Sequence, residues 1–365
     1  MFAQTIVQII RMKKSTTLKN IALQVGVSVP TVSRVLNGKS KHYRISKETQ
    51  ELILKAAKEL NYSPNQLARG LRLKRTNTLG YITPDISNPF FSTIARVVEK
   101  YARKQGYSII LCDSEESTDI EAESIKLLTD RKIDGLIISP VGQATEHLKE
   151  AYNKIPIVLI DRFFDDLDFP YVASDNYKGA YEATSYLIEN SHSRIAYIQG
   201  LKNTSPNNER VRGFKDAHKH FGIALDESLI VGNSFGEENG YIEMKLLLKR
   251  NRIPSAVFAG SNLISLGALK ALAEENLNVP GDISMISFDD QPYSRFLATP
   301  MTTVSQQSSQ IGQLATKILI DLIETNKQFE PKGILLPTTL IKRNSVKTIR
   351  PAKLNEDGFA QNITA

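Results

Sequence analysis

The segment Val29-Pro30-Thr31-Val32-Ser33-Arg34 combines side chains that can contact the edges of DNA bases. The guanidinium of Arg34 can donate two hydrogen bonds to one guanine. The hydroxyls of Thr31 and Ser33 can bond to bases or phosphates, and the small apolar groups of Val29 and Pro30 can touch the methyl group of thymine. A helix that carries these side chains into the major groove could therefore recognise a base sequence.

The surrounding residues predict the helices that would position this segment. A first helix, with Thr17 as its N-cap, is indicated by apolar residues at helical spacing, namely Leu18, Ile21, Ala22 and Val25. Gly26 can adopt the positive φ of a tight turn, and Ser28 can cap a second helix with Pro30 in its first turn. The inner face of that second helix would be Val32, Val35 and Leu36. Two short helices joined by a turn that contains glycine are typical of a helix-turn-helix motif.

A third helix follows, and the whole N-terminal region is basic. Ser46 is its predicted cap, and its predicted buried side is Leu52, Ile53, Ala56, Ala57 and Leu60. Residues 1–75 hold 15 Lys or Arg and 3 Asp or Glu, a net charge of +12, so the rest of the chain carries −5 of the total of +7. Concentrated positive charge favours binding to the DNA phosphate backbone, the alternative being a solvated basic surface without a partner.

The chain resembles the lac repressor (LacI/GalR) family of transcriptional regulators. The matching stretches are Thr17–Ala22, Gly26–Ser28, Thr31–Gly38 and Leu60–Asn65. Thr17 and Asn37, at the start of the first helix and the end of the second, complete the predicted DNA-binding set of the head. The resemblance implies double-stranded operator DNA as the partner.

The sequence predicts a hinge between two domains at residues 63–75. The resemblance implies a short helix that forms on operator DNA, with Leu71 inserted into the minor groove as an apolar wedge. Asn65, Ala68 and Arg69 complete the predicted hinge contacts. The alternative is an ordinary basic linker whose leucines pack on the core.

From Leu79 onward, apolar runs alternate with amphipathic helical segments. The predicted strands are Leu79–Ile82, Tyr107–Cys112, Gly135–Ser139, Ile155–Ile160, Arg194–Gln199, Ala256–Ala259 and Ile283–Phe288. This alternation predicts parallel sheets covered on both faces, which bind ligands beyond the carboxyl ends of their strands. The order of motifs resembles the periplasmic-binding-protein-like core of the same family. The predicted fold is therefore an all-α helix-turn-helix head plus an α/β core of two Rossmann-like parallel-sheet lobes.

The resemblance and the strand ends together indicate a cleft for a sugar-like effector. A sugar offers apolar ring faces and many hydroxyls, so its pocket needs aromatic side chains together with rigid donors and acceptors. The predicted aromatic residues are Phe90, Phe91 and Phe235, the predicted polar residues are Asp161, Arg210 and Asp289, and Asp175 and Ser261 are secondary candidates. Arg162 is consistent with an acidic or phosphorylated ligand, or with a solvated charge.

Each of these residues also has a structural alternative. Asp161 and Asp289 could cap the turns that follow their strands, Phe91 could pack between lobes, and Arg210 could belong to a structural salt bridge. Ser261-Asn262 stands where many relatives of the family have Asn-Asp.

Other function classes find little support in the residues. The single cysteine, Cys112, lies in an apolar run and suits a reducing cytoplasm. The sequence has no Gly-x-Gly-x-x-Gly after the first strand, no Walker loop, no Gly-x-Ser-x-Gly and no metal-ligand spacing among its histidines, so we expect neither an enzyme nor a cofactor or metal. No apolar stretch is long enough to span a membrane, and we expect no membrane partner. A sugar-binding transport protein would share the core but have no use for a basic head.

The predicted organisation has five parts. Residues 1–15 are a disordered leader, 16–62 the DNA-binding head, 63–75 the hinge, 76–345 the two-lobed effector-binding and dimerisation domain, and 346–365 a flexible tail. Because each head reads half a site, a homodimer on a palindromic operator is expected. The alternative regulator responds to a sugar phosphate or a phosphoprotein.

Overall fold

The computed structural model describes residues 16–62, 75–142, 144–325, 330 and 332–349. The chain divides into two compact units, Met1–Thr76 and Asn77–Ala365. The predicted leader, most of the hinge and residues 350–365 of the predicted tail lie outside the described residues.

The described part of the first unit is a three-helix domain. Its helices are α1 (Leu18–Val25), α2 (Val29–Leu36) and α3 (Lys47–Glu59). Gly26 ends α1 in the left-handed conformation with φ +74°, and Ser28 Oγ caps α2 by accepting from the Thr31 N–H at 3.3 Å. The core between the helices is formed by Ile21, Ala22, Val32, Val35, Ile53, Ala56 and Ala57.

One predicted core residue of this domain is wrong. The Leu52 side chain is 51% exposed. Ile53, Ala56 and Ala57 have the spacing of one helical face, and Leu52 lies one position outside that stripe.

The second unit contains two six-stranded sheets, which confirms the predicted α/β core. In the first sheet the strands, in spatial order, are β11 (Gly333–Leu336), β5 (Tyr171–Ser174), β4 (Ile157–Ile160), β3 (Gly135–Ile138), β1 (Thr78–Thr83) and β2 (Ser108–Asp113). In the second they are β12 (Thr339–Ile341), β10 (Thr302–Ser305), β9 (Ser284–Phe288), β8 (Ala256–Ala259), β6 (Ile195–Ile198) and β7 (Ile230–Val231). All pairings are parallel except β10 with β12.

Helices cover both faces of each sheet, so the central strands are continuous apolar runs. All four residues of β4 and of β8 are buried. The helices are α4 (Pro89–Lys104), α5 (Thr118–Asp130), α6 (Glu146–Tyr152), α7 (Asn176–Glu189), α8 (Ser205–His220), α9 (Glu237–Leu248), α10 (Asn262–Glu274) and α11 (Ser308–Thr325). Two apolar clusters fill each lobe, one on each side of its sheet. The chain passes between the lobes three times, after β5, after β10 and after β11.

Residues 347–349, at the start of the predicted tail, are hydrogen-bonded to the second lobe. The buried side chain of His192 bonds through Nδ1 to Ser255 Oγ at 3.0 Å and through Nε2 to the Lys347 carbonyl at 2.9 Å. The Ile349 N–H donates to the Asn190 carbonyl at 3.0 Å. These bonds fix residues 347–349 on the second lobe.

Candidate functional site

A cleft of about 120 Å³ lies between the two lobes, at the carboxyl ends of their strands. Eight of the nine predicted effector-binding residues line it: Phe90, Phe91, Asp161, Arg162, Arg210, Phe235, Ser261 and Asp289. They come from six different segments of the chain, so only the fold brings them together.

Asp161 and Asp289 occupy equivalent positions in the two lobes. Each follows the last residue of a buried strand, β4 or β9, and each has a positive φ, +60° and +72°. The Asp161 N–H donates to the Val172 carbonyl at 3.0 Å, and the Asp289 N–H donates to the Val304 carbonyl at 2.9 Å. Aspartate is one of the few residues apart from glycine that adopt this conformation readily. The turn therefore directs one carboxylate from each lobe into the cleft.

Burial changes the acidity of both carboxyl groups. Loss of hydration raises the pKa of Asp161 to about 6, although the nearby guanidinium groups of Arg162 and Arg210 act in the opposite direction. Burial also raises the pKa of Asp289, against the opposing effects of Arg210 and a hydrogen bond from Gln306. The cleft thus holds two carboxylates that lack most of their hydration, which suits them to accept hydrogen bonds from a ligand.

Arg210 is fixed among groups of the second lobe. Its side chain is 3% exposed, its Nε donates to Asn176 Oδ1 at 2.8 Å, and its Nη1 donates to the Gly260 carbonyl at 2.7 Å. The guanidinium carbon lies 3.6 Å from the centroid of the Phe288 ring. These contacts set the orientation of the guanidinium, whose charge acts on the carboxyl groups of both Asp161 and Asp289.

Arg162 is buried and paired rather than solvated. It is 2% exposed, and its two terminal nitrogens contact the Glu116 carboxylate at 2.7 and 2.6 Å. One of them also donates to the carbonyls of Pro140 and Val141. The alternative of a solvated charge is therefore wrong for Arg162, and Glu116, 46 positions away, offsets its charge.

The three predicted aromatic residues form two walls. Phe90 and Phe91 are buried at the start of α4, with their rings in an edge-to-face pair 5.1 Å apart. On the opposite lobe the Phe235 ring lies over Gly200, where a β-carbon would be only 2.0 Å from it. Gly200 therefore makes room for this ring, which faces the guanidinium groups of Arg162 at 5.4 Å and Arg210 at 5.9 Å.

Two secondary predictions have different outcomes. Ser261 lines the cleft, but its hydroxyl is engaged: it donates to the Phe235 carbonyl at 2.9 Å and caps α10. Asp175 does not line the cleft, because its carboxylate caps α7 by accepting from the Lys178 N–H at 2.9 Å. The next residue, Asn176, is the one that bonds to Arg210.

The helix predicted to meet DNA is α2, and its residues lie on an open face of the head. Val29, Pro30, Ser33, Arg34 and Asn37 line one shallow surface groove. Asn37 folds back to donate to the Ser33 carbonyl at 2.6 Å.

The other predicted DNA contacts of the head lie at helix N-termini. Thr31 Oγ1 is 2.8 Å from Ser28 Oγ. Thr17 is exposed at the start of α1, where it donates to Asn20 Oδ1 at 2.7 Å. The hinge residues Asn65, Ala68, Arg69 and Leu71 lie outside the described residues.

Family models match both parts of the chain. Residues 17–65 match the model of bacterial regulatory proteins of the lacI family, and residues 76–344 match that of periplasmic binding proteins and the sugar binding domain of the LacI family. The chain belongs to the LacI family. It is therefore a DNA-binding transcriptional regulator with the predicted two-part fold.

Known LacI-family proteins resemble the chain along most of its length. The transcriptional repressor PurR of Histophilus somni is 34% identical over 337 residues, which are 91% of this chain and 99% of that protein. The lac repressor dimer bound to operator and an anti-inducer is 25% identical, with a TM-score of 0.81 over 92% of this chain and all of the other. A LacI-family regulator of Enterococcus faecium with bound ribose is 29% identical, with a TM-score of 0.67 over 75% of this chain and all of the other.

Sequence reasoning missed several polar residues of this LacI-family cleft. Asp85, Asn88, Glu116 and Gln306 also line it. Asn88 caps α4 and accepts from the Asn262 side chain of the other lobe at 3.4 Å, and Gln306 donates to the Asp289 carboxylate. Asn88 lies two residues before the predicted Phe90, so attention to the polar neighbours of the two rings would have found it.

No helix among the described residues is long and apolar enough to cross a membrane. The same residues contain no group of three or more His, Cys, Asp or Glu side chains placed to hold a metal ion.

Proposed function

We propose that this LacI-family regulator is a homodimeric repressor of a palindromic operator, controlled by a small uncharged sugar in the interlobe cleft. The observation that carries the effector proposal is the convergence of two carboxylates, one oriented guanidinium and three phenyl rings in one cleft. A polyol presents donors and acceptors to such charged groups and its ring faces to aromatic side chains. The proposed domains remain the head 16–62, the hinge 63–75 and the effector domain 76–345.

The charge of the cleft favours an uncharged effector over a sugar phosphate. Four carboxyl groups line it, from Asp85, Glu116, Asp161 and Asp289, against the two guanidinium groups of Arg162 and Arg210. Because Glu116 already occupies the terminal nitrogens of Arg162, a phosphate would meet a net negative surface with only Arg210 to offset it. An anion placed next to unpaired carboxylates in a partly desolvated cleft is repelled.

The size of the cleft favours a monosaccharide. Its volume of about 120 Å³ is below the roughly 300–1,000 Å³ of pockets for drug-sized ligands. The Enterococcus faecium relative holds ribose, a ligand of this size and charge class.

A thermal-shift screen of the full-length protein tests the effector class. At one hundred times its dissociation constant, a free pentose or hexose is expected to stabilise the fold by about 2.7 kcal/mol. The matching sugar phosphates, at equal concentration, should give no shift. Stabilisation by the phosphates alone would replace the uncharged effector with the phosphorylated one.

The proposed DNA contacts are Thr17, Val29, Pro30, Thr31, Ser33, Arg34 and Asn37 of the head and Asn65, Ala68, Arg69 and Leu71 of the hinge. The exposed groove along α2 supports the first set, and the net charge of +12 in residues 1–75 supports phosphate binding. Effector and operator must then affect each other's affinity by the same factor, since coupling between two binding sites is reciprocal.

Replacing Arg34 with alanine tests the recognition helix. We expect a loss of about 1–3 kcal/mol in binding to an operator selected in vitro, and in the binding of unrelated DNA only the small loss that removal of one positive charge causes. Fluorescence anisotropy at fixed salt measures both affinities. Lys47→Ala, at the start of α3 and outside the α2 groove, is the control with an equal loss of charge. An unchanged sequence preference in Arg34→Ala would rule out α2 as the reading element.

A further inference from the structure

The Arg34 guanidinium does not extend freely from α2 but lies on the ring of Tyr43. Its central carbon is 3.9 Å from the ring centroid. A guanidinium stacked in this way uses one face for the aromatic contact and keeps its N–H edge for hydrogen bonds in the ring plane. The contact therefore orients the guanidinium without using the donors that would meet a guanine.

Tyr43 is held in place by the backbone of the segment that joins α2 to α3. The Lys39 N–H donates to the Arg34 carbonyl at 2.9 Å, and the Tyr43 N–H donates to the Lys39 carbonyl at 3.2 Å. The Ile45 N–H donates to the carbonyl of the buried Ser40 at 3.0 Å. These bonds turn the segment back along the recognition helix, so that the Tyr43 ring is placed beside Arg34 by the fold of the domain.

Tyr43 and Arg34 also share the surface groove that holds the proposed base contacts Val29, Pro30 and Ser33. The Tyr43 side chain is 43% exposed, so it is accessible to DNA rather than part of the apolar core. An arginine that is already restricted loses less side-chain entropy when it binds a base. A tyrosine in this position can thus raise the affinity for the correct base without contacting that base.

We propose that Tyr43 is a positioning residue for DNA recognition, which holds the Arg34 guanidinium toward the major groove and strengthens the preference for guanine at one operator position. This inference rests on the proposed function of α2 as the recognition helix. It predicts that Tyr43 acts only through Arg34 and only on the sequence that Arg34 reads.

The test uses the full-length protein and a duplex recovered from a random library by in vitro selection with the wild type. A shuffled duplex of the same composition reports non-specific binding. Tyr43→Ala should weaken binding to the selected duplex by about two- to fivefold, the size of an exposed cation–π contact, and leave the shuffled duplex unaffected. Tyr43→Phe, which keeps the ring, should bind both duplexes as the wild type does. Tyr43→Leu, which keeps apolar bulk without the ring, should behave as Tyr43→Ala.

A double-mutant cycle separates positioning from an independent contact. In the Arg34→Ala background, Tyr43→Ala should cause no further loss on the selected duplex. Additive losses, an equal loss on both duplexes, or a Tyr43→Phe protein as weak as Tyr43→Ala would each overturn the proposal. If the wild type itself selects no sequence, the proposed DNA-reading function fails instead, and the two failures are thereby distinct.

Discussion

Replacing Arg210 with alanine should lower the free energy of unfolding of the effector domain by about 3–5 kcal/mol and abolish effector binding. The guanidinium is buried and bonds to Asn176 Oδ1 and the Gly260 carbonyl. Its removal leaves both acceptors without this donor and removes a positive charge that offsets the carboxylates of Asp161 and Asp289, so that only Arg162 remains to offset Asp161. The loss therefore exceeds that of a surface ion pair several times over.

The matched control for this variant lies on the same helix. Arg212 pairs with Glu209 and lies over the ring of Tyr177, but both ends of its ion pair are solvent-accessible. Arg212→Ala should change the unfolding free energy by no more than about 1 kcal/mol and leave effector binding intact. Urea unfolding measures the stability of both variants, and titration with the sugar found in the screen measures their binding. Equal effects of the two substitutions would show that Arg210 has no special place in the cleft.

The strongest sequence signals were those that depend on local pattern. The strands at the centre of each sheet are buried on both faces, so β4 and β8 appear as uninterrupted apolar runs and were predicted nearly to their ends. Strands at the sheet edges and near the crossings between lobes, such as β11 and β12, are short and partly exposed, and β10 is rich in threonine. With only three or four residues each, they are too short to show a strand pattern, so only their pairing identifies them.

The cleft shows the same division between local and tertiary information. Asp161 and Asp289 could be placed from sequence because a polar residue just after a buried parallel strand lies at the ligand-binding edge. The partner of Arg162 could not be predicted from the sequence, because Glu116 lies 46 positions earlier and contacts Arg162 only through the packing of the first lobe. Asp175 and Asn176 are neighbours, and the sequence did not show which of the two contributes to the cleft. The choice between capping α7 and contacting Arg210 depends on side-chain direction, which spacing does not give.

Replacing Asp161 with asparagine should raise the free energy of unfolding of the ligand-free protein by roughly 1–3 kcal/mol at pH 7. Burial raises the pKa of Asp161 from 3.8 to about 6, so at pH 7 the folded protein holds an ionised carboxylate that would be better hydrated in the unfolded chain. Each pKa unit corresponds to about 1.4 kcal/mol, and the pKa of about 6 already includes the attraction of the carboxylate to Arg162 and Arg210. Asparagine tolerates the φ of +60° at this position, so the backbone need not change.

The pH dependence identifies the cause of the effect. Because the folded-state pKa lies above the unfolded-state value, the protonated group contributes stability below about pH 4, and this contribution is lost as the pH rises through 6. Wild type and Asp161→Asn should therefore be similarly stable near pH 4 and diverge between pH 4 and 7. Urea unfolding across this range measures the difference.

Asp290, which follows Asp289, provides a control variant whose expected change in stability has the opposite sign. Asp290 is paired with Arg343 at 2.7 Å and accepts from Thr303 at 2.7 Å, so Asp290→Asn should destabilise the protein at pH 7. If Asp161→Asn were also destabilising at pH 7, its attraction to the two guanidinium groups would outweigh its dehydration, and Asp161 would be a structural residue. If Asp161→Asn instead stabilises the fold and abolishes effector binding, the Asp161 carboxylate serves ligand binding and lowers the stability of the fold. Such a trade-off between stability and function is expected at a binding site.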